Sequence, residues 1–179
     1  MSFFYRSPPI IVNGSFGSGK TQLLAVATHC LIKCGMLNGQ PVRILLCAHH
    51  QSSADHFINK YFGPLLLRRE QYEQPLGLIR LMSRSYHIKD DMFKNYYMHS
   101  QDLHNNVHHY QRASYLIVVT TFLTSLSLPY KLRSGFFTHI LLDEGSQSRE
   151  PEAIAPLCSA GPNTKLVIAG DSHQVSHLL

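Results

Sequence analysis

Cysteine is scarce and unpatterned in this chain. Its four copies, Cys30, Cys34, Cys47 and Cys158, form no Cys-x-x-Cys pair, so zinc-ribbon and dithiol redox signatures are absent. Each stands in or beside an apolar run, as buried thiols in a reducing compartment do. Long apolar runs are missing too. None nears the roughly 18 residues that cross a bilayer, and no charged-then-apolar leader opens the chain. The expectation is a soluble protein of the cytoplasm or nucleus with no membrane partner. Acidic residues are few: eleven Asp and Glu stand against sixteen Lys and Arg, a formal net charge of +5. That balance permits a polyanionic partner without requiring one. No internal repeat is visible.

What is present is enough apolar material for one core. Hydrophobic residues make up 44% of 179 positions, which suits one globular domain spanning residues 1–179. Short apolar runs recur between stretches of helical spacing. IIVN (10–13), VRILLCA (42–48), LIRLM (78–82), YLIVVT (115–120), HILLD (139–143) and KLVIA (165–169) read as strands. Residues 21–33, with Leu24, Ala27, Cys30 and Leu31 on one face, read as a helix, as do 52–67 and 150–158. Gly63-Pro64 is expected to break the second of these. Strands this apolar are buried on both faces, and their alternation with helices implies right-handed crossovers and a parallel sheet. The expected class is therefore α/β, a doubly wound, mostly parallel sheet with helices on both faces and ligand sites at the strands' C-terminal ends. Residues 68–112 are polar and rich in Tyr and His, and are expected to form a small, mostly helical surface insertion.

The strongest pattern is GSFGSGKT: Gly14, Ser15, Phe16, Gly17, Ser18, Gly19, Lys20 and Thr21. It fits the phosphate-binding loop, and it lies between a strand and a helix as that motif requires. Glycines let successive backbone N–H groups curl around phosphate oxygens, and the following helix adds its N-terminal dipole. Lys20 would reach the β- and γ-phosphates of ATP, and the Thr21 hydroxyl would ligate Mg²⁺. A second strand ends in LLDEGSQ. There Asp143 would hold the metal shell, and Glu144 would orient and deprotonate a water. A third ends in VIAGDSHQ, placing Gln174 where its amide could sense the γ-phosphate.

The ordered set GSFGSGKT, ILLCAHHQSSAD, YLIVVTTF, ILLDEGSQ and VIAGDSHQV resembles superfamily 1 helicases of the Upf type. Within them, SGFFTHILLDEGSQ resembles the helicase-with-zinc-finger group. The resemblance implies the first RecA-like domain of an ATP-driven RNA or DNA motor, a phosphate-loop nucleoside triphosphatase. RNA is the favoured strand, and protein partners would come from an RNA-processing complex. The resemblance also places Gln147 beside the γ-phosphate, with catalytic weight on Lys20, Glu144 and Gln174. It marks 48–55, with His50 and Gln51, and Thr120 and Thr121 as contacts to the nucleic-acid backbone. His50-Gln51 departs from the family's usual Ser-Asn, and Gly145 from its usual Ala. The upstream adenine element and the second RecA-like domain are not in this sequence. The chain is therefore expected to be a fragment that binds ATP weakly and hydrolyses it negligibly by itself.

Other clusters have plainer readings. His29, Cys30 and Cys34 suit core packing rather than a metal site, and His104, His108 and His109 suit a solvated helix face. Arg80, Arg84, Tyr86, Lys89, Lys94, Tyr96 and Tyr97 combine cations with stacking rings, a composition that serves either single-stranded nucleic acid or an ordinary polar surface. The rival to a motor is a non-catalytic RNA- or protein-binding module that keeps the RecA-like core. A third option, a nucleotide kinase, fits the two Gln-containing motifs poorly.

Overall fold

A computed structural model describes residues 8–67, 76–88, 93–103 and 111–171. Its centre is a sheet of seven strands among these residues, all parallel, in the order β1-β7-β6-β2-β5-β3-β4. The strands are β1 (Ile10–Asn13), β2 (Val42–Ala48), β3 (Leu76–Met82), β4 (Tyr97–His99), β5 (Tyr115–Thr121), β6 (His139–Asp143) and β7 (Lys165–Gly170). The arrangement is the α/β, RecA-like one that the strand and helix pattern predicts.

The central strands are apolar at successive positions because both their faces are covered. Ile44, Leu46 and Ala48 of β2 face a cluster with Leu24, Ala25 and Ile32 of α1 (Lys20–Leu37) and with Phe57, Ile58 and Phe62. The alternating residues Leu45 and Cys47 face a second cluster with Phe122, Leu128, Phe136 and Phe137. The sheet thus separates two packed layers. On the first, α2 (Gln51–His56) continues through a π-helical turn, Phe57–Phe62, into α3 (Gly63–Leu67). On the second lie α4 (Phe122–Ser125), α5 (Glu150–Ile154) and the 3₁₀ turn Ala155–Ser159.

Four expectations need correction. The 52–67 helix is not broken at Gly63-Pro64, because the π turn before it relaxes the i→i−4 ladder that a proline cannot join. The buried face of α1 is Leu24, Ala25, Thr28, Ile32 and Gly35, so Cys30 and Cys34 are exposed, as is Cys158; only Cys47 is buried. Among the described residues, no group of three or more His, Cys, Asp and Glu side chains is placed to hold a metal ion. Within 68–112, the described residues are not mainly helical. They supply β3 and β4, which extend the main sheet in parallel register beyond β5. β3 covers the LIRLM run read as a strand, while the Tyr- and His-bearing β4 was not read as one. His104, His108 and His109 lie outside the described residues. No helix among the described residues is long and apolar enough to cross a membrane.

Candidate nucleotide-binding site

Parallel strands deliver their C-terminal ends to one edge. Because β1, β7 and β6 are neighbours, the loops after Asn13, Asp143 and Gly170 meet there. They are tied together by backbone. Gly14 N–H donates to Gly170 O at 3.1 Å, Gly145 N–H to Ala169 O at 2.9 Å, and Asp171 N–H to Ser146 Oγ at 2.9 Å. The loop from Gly14 to Gly19 curls through left-handed backbone at Gly17 (φ 75°) and Gly19 (φ 89°), a conformation glycine adopts without a steric cost. Gly19 leads directly into α1, whose N-terminus faces the loop's hollow.

The hollow is a cavity of about 310 Å³, lined by Phe16 to Gln22, Lys60, Tyr61, Asp143, Glu144, Ser146, Gln147, Gly170 and Asp171. Its size and mixed lining suit a small polar ligand. Within it, the Thr21 hydroxyl donates to Asp143 Oδ2 at 2.8 Å across 122 positions of sequence. Asp143 is buried, with 1% of its surface exposed. Burial raises its carboxyl above the ordinary carboxylate range, and repulsion from Glu144 adds to the rise. The Thr21 hydroxyl, the Glu144 N–H and the nearby Lys20 oppose it. A buried carboxylate beside a hydroxyl, facing an open cavity, is a donor set suited to a hard divalent cation such as Mg²⁺. The Lys20 ammonium folds back onto Gly14 O (2.7 Å) and Ser15 O (2.8 Å).

Glu144 is the one non-glycine with left-handed backbone among the described residues (φ 59°). Such strain persists only where neighbours hold it, and it clusters at functional sites. Here Glu144 N–H donates to Asp143 Oδ1 at 3.1 Å, Glu144 O accepts from Gln147 N–H at 3.0 Å, and Ser53 Oγ donates to Glu144 Oε2 at 3.3 Å. Lys60 and Tyr61 carry no motif in the sequence, Ser53 stood only within the 48–55 segment expected to meet nucleic acid, and the fold brings their helical run to the cavity.

The residues expected to touch nucleic acid are placed differently from one another. His50 is exposed at the N-cap of α2. Gln51 turns inward, its Oε1 accepting from Arg80 Nη2 at 2.6 Å. Arg80 is fully buried and also donates to Asp55 Oδ1 at 2.8 Å and Leu81 O at 2.6 Å. Tyr86 hydroxyl donates to Asp55 Oδ2. Thr120 is buried, with its hydroxyl donating to Leu81 O at 2.9 Å, and Thr121 caps α4 by accepting from Thr124 N–H at 3.4 Å. The basic-aromatic stretch is therefore no continuous surface. Arg80 is interior, and Tyr96 and Tyr97 pack against the first core cluster. Lys89 and Gln174 lie outside the described residues.

No protein-family model matches the chain. Several curated proteins do, among them these three. It is 37% identical over 174 residues to the human "Probable helicase with zinc finger domain", covering 94% of this chain and 8% of that protein. It is 34% identical over 173 residues to the human "3'-5' exoribonuclease HELZ2", covering 96% of this chain and 6% of that protein. It is 29% identical over 179 residues to the mouse "RNA helicase Mov10l1", covering 97% of this chain and 14% of that protein. The chain belongs to the superfamily 1 helicases of the Upf type. It spans less than a tenth of the length of the zinc-finger helicase it matches, so it corresponds to one segment of such a protein. For this helicase-family domain, the phosphate loop and the Asp143–Glu144 pair sit within the matched segment.

Proposed function

We propose that this domain binds Mg-ATP at the β1–β7–β6 edge and, within a longer protein, hydrolyses it to drive movement along single-stranded RNA. The observation that carries the reading is the 2.8 Å contact between Thr21, which opens α1, and Asp143, which ends β6. It brings two distant motifs to one point beside a glycine-rich loop. The reading assigns Thr21 and Asp143 to the metal, which when bound supplies positive charge against that developing on the transferred phosphoryl group. Lys20 swings from the Gly14 and Ser15 carbonyls to the phosphates. Glu144 accepts a proton from water, with Gln147 beside it and Gln174 as the γ-phosphate sensor. His50, exposed at the N-terminus of α2, meets the nucleic-acid backbone. The preference for RNA rests on the printed name of the Mov10l1 relative.

The test is titration of a fluorescent ATP analogue into the chain with and without Mg²⁺. Wild type is expected to bind in a metal-dependent way. Lys20→Ala should weaken binding by roughly a hundredfold, the weight of a multiply bonded cation. Equal affinity of the two proteins would remove the phosphate-loop reading.

A further inference from the structure

The helical run that follows β2 does not pass the cavity by. Its α2 portion reaches Glu144 through Ser53 Oγ at 3.3 Å, and its π-helical portion puts Lys60 and Tyr61 into the cavity wall. The π geometry explains the placement. Each turn holds more residues than an α turn, so side chains five positions apart come into line. His56 and Tyr61 meet edge to face with centroids 5.5 Å apart, and Phe57 and Phe62 stack at 6.0 Å. Phe57 and Phe62 are buried in the core. Their anchoring fixes the rotation of the turn and so keeps Tyr61 on the cavity side. The Lys60 ammonium stands 5.5 Å from the Tyr61 ring centroid, a cation–π contact that orients an otherwise exposed side chain.

The lining of the cavity thus holds two lysines on different elements, Lys20 on the loop side and Lys60 on the helical run whose earlier residue Ser53 touches Glu144. Three carboxylates, Asp143, Glu144 and Asp171, line the same space. A polyphosphate entering there meets strong negative potential unless cations flank it. Resting on the nucleotide reading above, we infer that Lys60, held by Tyr61, is a second phosphate-binding cation directed at the terminal phosphate of the bound nucleoside triphosphate. Lys60 and Glu144 line the same cavity, and that gives the direction, because the attacking water must lie between Glu144 and the terminal phosphorus. The π turn is the device that delivers it. A continuous α-helix through 57–62 would rotate Lys60 and Tyr61 away from the cavity.

The experiment compares Mg-ATP and Mg-ADP analogues by fluorescence titration for wild type, Lys20→Ala, Lys60→Ala and Lys60→Arg. Lys60 is exposed, and thermal melts check that its variants keep the wild-type fold. Lys60→Ala should lose about tenfold in affinity for ATP and little for ADP, with Lys60→Arg restoring most of the loss. Lys20→Ala should weaken both nucleotides. Unchanged ATP affinity in Lys60→Ala, with Lys20→Ala impaired, would overturn the Lys60 assignment and leave the nucleotide reading standing. Equal losses for ATP and ADP would overturn the terminal-phosphate direction. A wild-type chain that binds neither nucleotide would overturn the nucleotide reading itself, and Lys60 with it.

Discussion

At the scale of single residues, Asp143 shows how a buried carboxylate costs stability. Its carboxylate is buried beside Glu144, and both burial and that neighbour disfavour its charge. An amide of the same shape keeps an oxygen to accept from Thr21 and removes the charge. Asp143→Asn should therefore raise the melting temperature of the ligand-free chain at pH 7 by roughly 2–4 °C, the equivalent of about 1 kcal/mol. Metal-dependent nucleotide binding should disappear in the same variant. Calorimetric melts with and without Mg-ATP check both halves; a lower melting temperature would contradict the account. Residue types at this site were legible in the sequence because phosphate chemistry restricts them tightly: glycines that curl, a lysine, a hydroxyl, paired carboxylates. Lys60 and Tyr61 were illegible, because a lysine on a helix is ordinary until the fold shows which cavity it borders, and Ser53 was marked only as part of a nucleic-acid segment. Arg80 misled for the converse reason. In sequence it looks like a surface cation, yet Asp55, Gln51 and the Leu81 carbonyl let it be buried.

At the scale of elements, strands were legible and helix faces less so. Apolar runs such as VRILLCA can be little else in a chain of alternating elements, whereas α1 carries apolar residues around much of its circumference. Leu23 and Val26 are about half exposed while Gly35 is buried. The contact that fixes the rotation of α1 is close packing on β2. A Cβ at Gly35 would stand 2.4 Å from Val42 Cγ2 and 2.9 Å from Gln40 O. Gly35 O also accepts from the Tyr115 hydroxyl at 3.3 Å. Gly35→Ala should thus destabilise the chain by about 1–2 kcal/mol, since overpacking outweighs the gain in helix propensity. Cys34→Ala, one position away and exposed, should change little. Urea denaturation of the two variants makes the comparison, and a more stable Gly35→Ala would refute the packing argument. The boundary of 68–112 was misread at this scale. β3 falls on the LIRLM run already read as a strand, whereas β4 is three residues long, YMH, at the sheet's edge, so periodicity had little to act on there.

For the molecule as a whole, burial lowers the proton affinity of His29, His56 and His139, with Lys33, Lys60 and Lys165 respectively adding repulsion. Each is depressed from an ordinary value near 6.5, so the unfolded chain binds more protons than the folded one below about pH 7. Stability should fall as pH drops through that range toward the folded-state values. Asp143 acts in the opposite sense, because a raised carboxyl favours the folded state as it becomes protonated. Unfolding free energies at pH 7.5, 6.5 and 5.5 in the Asp143→Asn background isolate the histidine contribution. A decline that shrinks when His139→Asn is added is the expected result; a flat profile would count against it. The parallel sheet has one more consequence. Since every strand starts at one rim and finishes at the other, the candidate site lies at one rim, roughly 20 Å along a seven-residue strand from the other. Exposed positions before β2 and β7, Gly39 and Asn163, belong to the opposite rim, where Asn163 borders a second cavity. A dye or surface tether attached there would hold the chain with its ligand mouth facing outward, ready for single-molecule measurement.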